Sequence, residues 1–268
     1  MKQKGRFQLV FALLALCLSA VMSIAIAEPA SESATSATIL VYHRFGPVVA
    51  DSMTVTTAVF ASQLKYLHDS GYNIVPLREV VNFAAGHGEL PPRAVAISAD
   101  DGHRTVFSDM APLVERYRIP VTLFIYPSAI SNASYAMTWE QLAELKATGL
   151  FSVESHTYWH PNFRIEKRRL STEDYWKLVD SQLNKSREVL ERRLGGRVTM
   201  LSWPFGIYDD ELIAAATKSG YVAAFSIERR EVSRGDNVMA LPRFIVTDGD
   251  IGQRFGSLLP ARTPTTSR

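Results

Sequence analysis

Ala94-Val95-Ala96-Ile97-Ser98-Ala99-Asp100-Asp101-Gly102 is the stretch on which the reading of this chain turns. Six small or apolar residues in a row make a strand covered on both faces, because a half-exposed strand would alternate with polar residues. Two carboxylates and a glycine then close it, in the composition of a turn. A second stretch of the same build lies about fifty residues on, where Phe151-Ser152-Val153-Glu154-Ser155 runs into His156-Thr157-Tyr158-Trp159-His160 and Pro161. In α/β folds, catalytic residues collect where strands give way to loops. One carboxylate and two imidazoles make a three-ligand divalent metal site with open positions, and the other carboxylate is free to act as a base. An Asp-Asp-Gly triplet alone is usually only a turn, and His-x3-His alone is often chance. Their joint occurrence, each after its own strand, points to metal-assisted hydrolysis.

Outward from these two stretches, apolar runs alternate with helix-period segments. Strands are expected over 37–42, 73–75, 94–99, 121–126, 151–155, 199–202, 222–226 and 241–246. Helices are expected over 57–70, 77–85, 105–116, 139–148, 171–194 and 209–219. Phe60, Leu64 and Leu67 recur at helical spacing, and Thr138 with Gln141 forms a capping box. Gly71, Gly149, Gly195 and Gly220 stop the helices before them. Such alternation implies a mostly parallel sheet covered by helices. It brings Asp100, His156 and the Trp203-Pro204-Phe205 turn to one end of that sheet.

The ends read differently. Lys2, Lys4 and Arg6 precede a nearly unbroken apolar run, and Ala25-Ile26-Ala27 offers a small-x-small cleavage pattern, so residues 1–27 read as a signal peptide. Left uncleaved, the same run is long enough to anchor the chain in a membrane. Residues 28–36 read as a flexible leader, 37–259 as the folded domain and 260–268 as a frayed tail. The expected location is outside the cytoplasm, in the periplasm or cell envelope. The single cysteine, Cys17, lies in the signal, so the mature chain has no thiol or disulfide chemistry. Losing three basic residues from 29 leaves 26 against 27 acidic, a net of −1. That balance excludes a nucleic-acid partner.

These residues resemble the polysaccharide deacetylases of carbohydrate esterase family 4, from about Thr38 to Asp248. The first motif of that family, Thr-Phe-Asp-Asp-Gly, stands here as Ser98-Ala99-Asp100-Asp101-Gly102. The second, His-Ser/Thr-x-x-His, is matched by His156-Thr157-Tyr158-Trp159-His160. The third, Arg-x-Pro-Tyr/Phe, is partly kept as Ser202-Trp203-Pro204-Phe205, without its arginine. Trp203-Pro204-Phe205-Gly206, Leu241-Pro242-Arg243 and Tyr42-His43 look like the branch that deacetylates poly-β-1,6-N-acetylglucosamine of biofilm matrix.

The resemblance implies a distorted (β/α) barrel of about seven parallel strands, circularly permuted. It implies that Asp101, His156 and His160 hold one divalent metal ion, zinc by ligand type with nickel or cobalt admissible. Asp100 would be the general base and His43 the general acid. Tyr126 would lie beside an oxyanion-binding N–H, Arg243 would stand in for the missing guanidinium, and Trp203, Pro204, Phe205, Tyr126 and Arg243 would meet substrate. Trp159 and Tyr208 are further candidates to stack on sugar rings. The implied partners are an N-acetylated polysaccharide and envelope export or synthase machinery. Peptidoglycan or chitin-type oligomers are the alternative substrates. The alternative from another class is a non-catalytic glycan-binding protein on a decayed scaffold, for which Ser202 and Ala99 speak.

Overall fold

Every residue of strand β5 (Ala94–Asp100) is buried, as the unbroken apolar run requires. In the computed structural model, which describes residues 34–260, that strand lies near the middle of a curled half-barrel of mostly parallel strands. The expected signal segment, most of the leader and the tail from 261 lie outside the described residues. Chain order runs β1 (Ser36–Tyr42), β2 (Arg44–Gly46), β3 (Thr54–Thr56), α1 (Thr57–Asp69), β4 (Asn73–Ile74), α2 (Leu77–Ala84) and β5. It continues α3 (Ala111–Tyr117), β6 (Val121–Ile125), α4 (Trp139–Ala147), β7 (Phe151–Ser155), α5 (Phe163–Arg169), α6 (Thr172–Leu194) and β8 (Met200–Ser202). It ends α7 (Asp210–Lys218), β9 (Ala223–Phe225), β10 (Val232–Ser233), β11 (Phe244–Ile245) and α8 (Gly252–Gly256). Among the described residues, no helix is long and apolar enough to cross a membrane.

The sheet order is β10-β1-β5-β6-β7-β8-β9, with β11 also on β1 and β4 on β5. Among the described strand pairs, only β10–β1 is antiparallel. Phe225, at the end of β9, bridges Leu241, and Leu40 of β1 pairs with Phe244. The segment 241–245 thus spans from the last strand back to the first.

Alternate residues of each strand go to different layers, as the two-residue period demands. Val95, Ile97, Leu123 and Val153 pack outward against helix residues such as Leu64, Leu142 and Leu183. Ile39, Ala94, Ala96, Phe124, Met200 and Phe225 form a separate inner cluster with Val80 and Phe83 of α2. Asp100 shares the parity of Ala94 and Ala96, so it belongs to the inner set. That parity decides what can reach it.

The joint between β7 and β8 rests on one residue pair, Ser155 with Leu201. A side chain strengthens it. The buried carboxylate of Glu154 accepts the N–H groups of Thr199 and Met200, both at 2.8 Å. It thereby replaces main-chain acceptors that a longer ladder would have supplied.

Most expected elements fall within a residue or two of the observed ones, and the differences have local causes. The 105–116 helix opens with a π-helical turn over Val106–Met110 before α3. Pro112 supplies no N–H in the turn where the two join. The last strand is cut to Phe244–Ile245 because Pro242 interrupts it. Helix α5 and the β2–β3 pair are unanticipated. Asn162 caps α5 by accepting from Ile165 N, but its mostly polar sequence gives no apolar stripe.

Candidate active site

Successive strand residues point to opposite faces, so two adjacent carboxylates cannot ordinarily share a cleft. Asp101 breaks the alternation with φ of 75°. The turn ends on Gly102, φ 74°, where a Cβ would meet Ile125 at 3.0 Å and Ile130 at 3.1 Å. Only glycine fits there. Thr157 (φ 64°), His160 (φ 63°) and Phe205 (φ 56°) are also left-handed; His160 and Phe205 line the same cleft as Asp101, and Thr157 is buried in the loop beneath His160. A non-glycine residue there costs on the order of 1–3 kcal/mol. Four such residues in one place mark where conformation serves something other than stability.

The histidine loop is held from below. His156 N donates to Ile125 O at 2.8 Å, and Thr157 Oγ1 accepts from His160 N at 3.2 Å. Helix α6 supplies two further anchors: Gln182 Oε1 accepts from Trp159 N at 2.9 Å, and Ser186 meets Ser155, hydroxyl to hydroxyl, at 2.8 Å. Both α6 residues are buried, and nothing in the local sequence singles them out.

The ligand-type atoms converge. One donor atom each from Asp101, His156 and His160 lies within 4.8 Å of the others. Asp101 Oδ1 is 3.6 Å from His156 Nε2 and 3.9 Å from His160 Nε2. Ligand atoms about 2.0–2.2 Å from a shared tetrahedral ion stand about 3.3–3.6 Å apart, so modest contraction closes the site. His156 Nδ1 is 2.7 Å from Ser202 O, which fixes the proton there and leaves Nε2 free as a ligand. Burial pushes His156 down to about 3, against the pull of Asp100, and burial lowers His160 as well. Both imidazoles are therefore neutral at pH 7, the form in which histidine binds metal. The donor set fits a divalent ion.

Asp100 sits behind this triad, 2 % exposed. Arg243 grips it bidentately, Nη1 to Oδ1 at 2.9 Å and Nη2 to Oδ2 at 2.8 Å. Ser202 Oγ donates to Oδ2 at 2.8 Å. Burial by itself would push the Asp100 carboxyl up, but Arg243 above all, then His156, holds it well below the usual range. Asp101 goes the other way: burial and the Asp100 charge raise it, against His43. One carboxylate is locked as an anion, and the other is short of a counter-charge. A divalent ion would supply it.

Arg243 is wholly buried in the barrel interior, with its guanidinium carbon 5.4 Å from the Phe124 ring centre and 5.8 Å from that of Phe225. That corrects its expected contact with substrate, because every donor is spent on Asp100, Ser98, Ser202 and Ser226. Trp203 is corrected too. It contributes to the floor of the cleft, but it is 1 % exposed and donates Nε1 to Met239 O at 2.9 Å, so its ring is packed into the core rather than open for stacking. Pro204 is likewise buried and shapes the turn.

The cleft over these groups has a volume of about 450 Å³. His43 and Tyr126 line it, with His43 Nδ1 buried and without a hydrogen-bond partner among the described residues. The Tyr126 ring centre lies 5.5 Å from that of His160, and its hydroxyl meets that of Tyr135 at 2.7 Å. Phe205 is 55 % exposed at the mouth with its ring 4.6 Å from His160, which leaves one face for a ligand. Trp159 is exposed but is not among the residues around the cleft. Sequence reading missed Arg44, which reaches the cleft and is tied by Nη1 to Asp51 at 2.6 Å.

A curled α/β sheet that carries two histidines, an under-neutralised carboxylate and a second, locked carboxylate at its loop end has the build of a hydrolase site. Comparison with known proteins gives the same class. Residues 87–224 match the polysaccharide deacetylase family, and the chain belongs to that family, whose members hydrolyse N-acetyl amide bonds. YxkH of Bacillus subtilis, assigned by name to the polysaccharide deacetylases, is 28 % identical over 221 residues, 82 % of this chain and 75 % of that protein. A poly-β-1,6-N-acetyl-D-glucosamine N-deacetylase of Staphylococcus aureus is 25 % identical over 199 residues, 73 % of this chain and 68 % of that one. The fold is shared with Streptococcus pyogenes deacetylase PplD at a TM-score of 0.74 and 20 % identity, covering 85 % of this chain and all of that one. It is shared with IcaB of Ammonifex degensii at 0.74 and 22 %, covering 84 % and 97 %.

Proposed function

We propose that this chain is a metal-dependent N-deacetylase of an exported N-acetylglucosamine polymer, with poly-β-1,6-N-acetylglucosamine as its substrate. The observation that carries the reading is the pairing of a neutral-imidazole and carboxylate donor set with an anionic Asp100 in the same cleft. The named activity of the Staphylococcus aureus relative supports the choice of polymer, and the apolar run before Glu28 supports an envelope location.

Asp101, His156 and His160 would hold the ion, zinc on ligand type. When bound, such an ion polarises the amide carbonyl and lowers the pKa of the attacking water. Asp100 takes the proton from that water as its oxygen adds to the carbonyl carbon. Arg243 and Ser202 hold the Asp100 carboxylate in line for that transfer. His43 gives a proton to the sugar nitrogen as the C–N bond breaks, and acetate and a free amine leave. Phe205 offers its open face to the ring that carries the acetamide.

A decayed binding scaffold is the weaker reading, because the Ser202 hydroxyl serves Asp100 and Arg243 supplies that carboxylate with a guanidinium.

The test is amine release from β-1,6-linked N-acetylglucosamine oligomers by residues 28–268, after chelation and after return of zinc, cobalt or nickel. β-1,4-linked oligomers and an Asp100→Asn variant, checked for fold by circular dichroism, run beside it. Release from the β-1,6 series that returns with metal and is lost in the variant is the expected result. Release from the β-1,4 series alone would discard the polymer and keep the chemistry. Silence on both with metal bound would favour a binding protein.

A further inference from the structure

A second concavity, of about 280 Å³, adjoins the cleft. Gly206 lines the first and Ile207, the next residue, lines the second. Tyr208 continues the wall, its ring stacked on Trp203 with centroids 6.4 Å apart and its hydroxyl donated to Glu228 at 2.7 Å. The opposite wall is α5, which begins three residues after His160. A volume near 300 Å³ is that of a small ligand site and holds about one sugar ring.

Its charge is lopsided. Arg164, Lys167 and Arg168 face it against one carboxylate, Asp209. Lys167 sits between two carboxylates, with Nζ 3.3 Å from Asp209 and 2.6 Å from Glu211, so that trio carries one net negative charge. Arg164 and Arg168 are exposed and have no carboxylate within 4.0 Å among the described residues. The reaction converts a neutral acetamide into an amine that is largely ammonium near neutral pH. A polymer in use therefore carries both neutral and cationic units.

We propose that this cavity is a second glycan subsite that accepts a neutral N-acetylated sugar and rejects a deacetylated, cationic one, so that removal of one acetyl group discourages removal of its neighbour. The inference rests on the deacetylase reading and adds a determinant of pattern to it. Tyr208 gives the ring a face, Lys167 and Asp209 give its hydroxyls a donor and an acceptor, and Arg164 and Arg168 repel an ammonium. Two unpaired arginines, less the surplus carboxylate beside Lys167, leave one net positive charge, which within about 6 Å in a water-like medium with moderate screening gives about twofold discrimination.

The test compares acetate release from a fully acetylated tetramer and from tetramers that carry one glucosamine, in whichever linkage series the enzyme hydrolyses. Wild type is expected to show a kcat/KM ratio of about twofold in favour of the neutral tetramer at low salt. The ratio should fall toward one at high ionic strength, as screening requires. In Arg164→Glu/Arg168→Glu it should vanish or invert, because the comparison is a ratio taken within each protein and any general change in binding cancels from it. A ratio equal in wild type and variant, or absent in wild type, overturns the subsite while the deacetylase reading stands. No hydrolysis of any acetylated oligomer overturns the deacetylase reading and the subsite with it.

Discussion

Asp101→Asn is expected to lower kcat/KM by more than about 10³, to abolish stabilisation by added zinc, and to raise the melting temperature of the metal-free protein. The activity loss follows from removing the one anionic donor of the set, which does more than removing a single electrostatic contact worth about 10²–10³. The zinc effect follows from linkage: an ion that binds only the folded chain raises its melting temperature, and a variant that cannot bind it gains nothing. The third effect has the opposite sign and is the more telling. Burial and the neighbouring Asp100 raise the Asp101 carboxyl above its ordinary value. A raised carboxyl stabilises the folded state only while protonated, and that contribution is lost as pH rises through the folded value. At pH 7 the charge is therefore a cost to the metal-free fold, and asparagine removes it without changing the shape. Acetate-release kinetics read the first effect, and thermal melts with chelator and with zinc, beside zinc titration calorimetry, read the other two. A lower melting point for the metal-free variant would show that Asp101 is a structural carboxylate rather than a strained ligand.

How much of this was legible in the sequence depended on whether a feature is local. Ala94–Ala99 gave a buried strand because nothing but a two-sided environment tolerates such a run. Ser171 and Thr138 marked their helix starts through caps that need only three or four residues, and both caps are present. The histidine pair and the Asp-Asp-Gly turn could be placed at strand ends for the same reason. What stayed hidden was long-range. Trp203 stands in a loop beside the motif, and its sequence cannot tell that Met239 O waits 2.9 Å away to draw the indole into the core. Arg243 was visible as a candidate replacement for the missing guanidinium. Its complete burial follows from the inward parity of Asp100 and the path of segment 241–245 across the barrel, neither of which is written near residue 243. Gln182 and Ser186 carry no local mark, and their role appears only where the histidine loop lies over α6. The distant β7–β8 joint completed by Glu154 is of the same kind.

Arg243→Met should destabilise the metal-free protein by about 3–5 kcal/mol at pH 7, the usual cost of stranding one member of a buried ion pair. The pair is 0 % and 3 % exposed at its two side chains, so water cannot take over the role of the guanidinium. Methionine fills much of the space between Phe124 and Phe225, which keeps the loss electrostatic rather than a cavity effect. The pH dependence then inverts. In the wild type Asp100 lies below its ordinary value, so its ionisation stabilises the fold above about pH 4 and that contribution is lost as pH falls through the folded value. His156, neutral above about 3, cannot stand in for Arg243 at neutral pH. In the variant, burial outweighs the remaining hydrogen bond from Ser202 and lifts the carboxyl above its unfolded value, so stability is best in acid and declines as pH rises. Urea denaturation at pH 5 and pH 7.5, followed by tryptophan fluorescence, separates the two slopes. Asp100→Asn/Arg243→Met should recover most of the loss, because replacing both members leaves no charge stranded. The double variant regains stability without regaining hydrolysis. That split is what distinguishes a pair kept for the position and charge of Asp100 from a pair kept to hold the barrel together. If Arg243→Met alone unfolds at the wild-type urea concentration, solvent must reach Asp100 and the carboxylate is not locked by its partner.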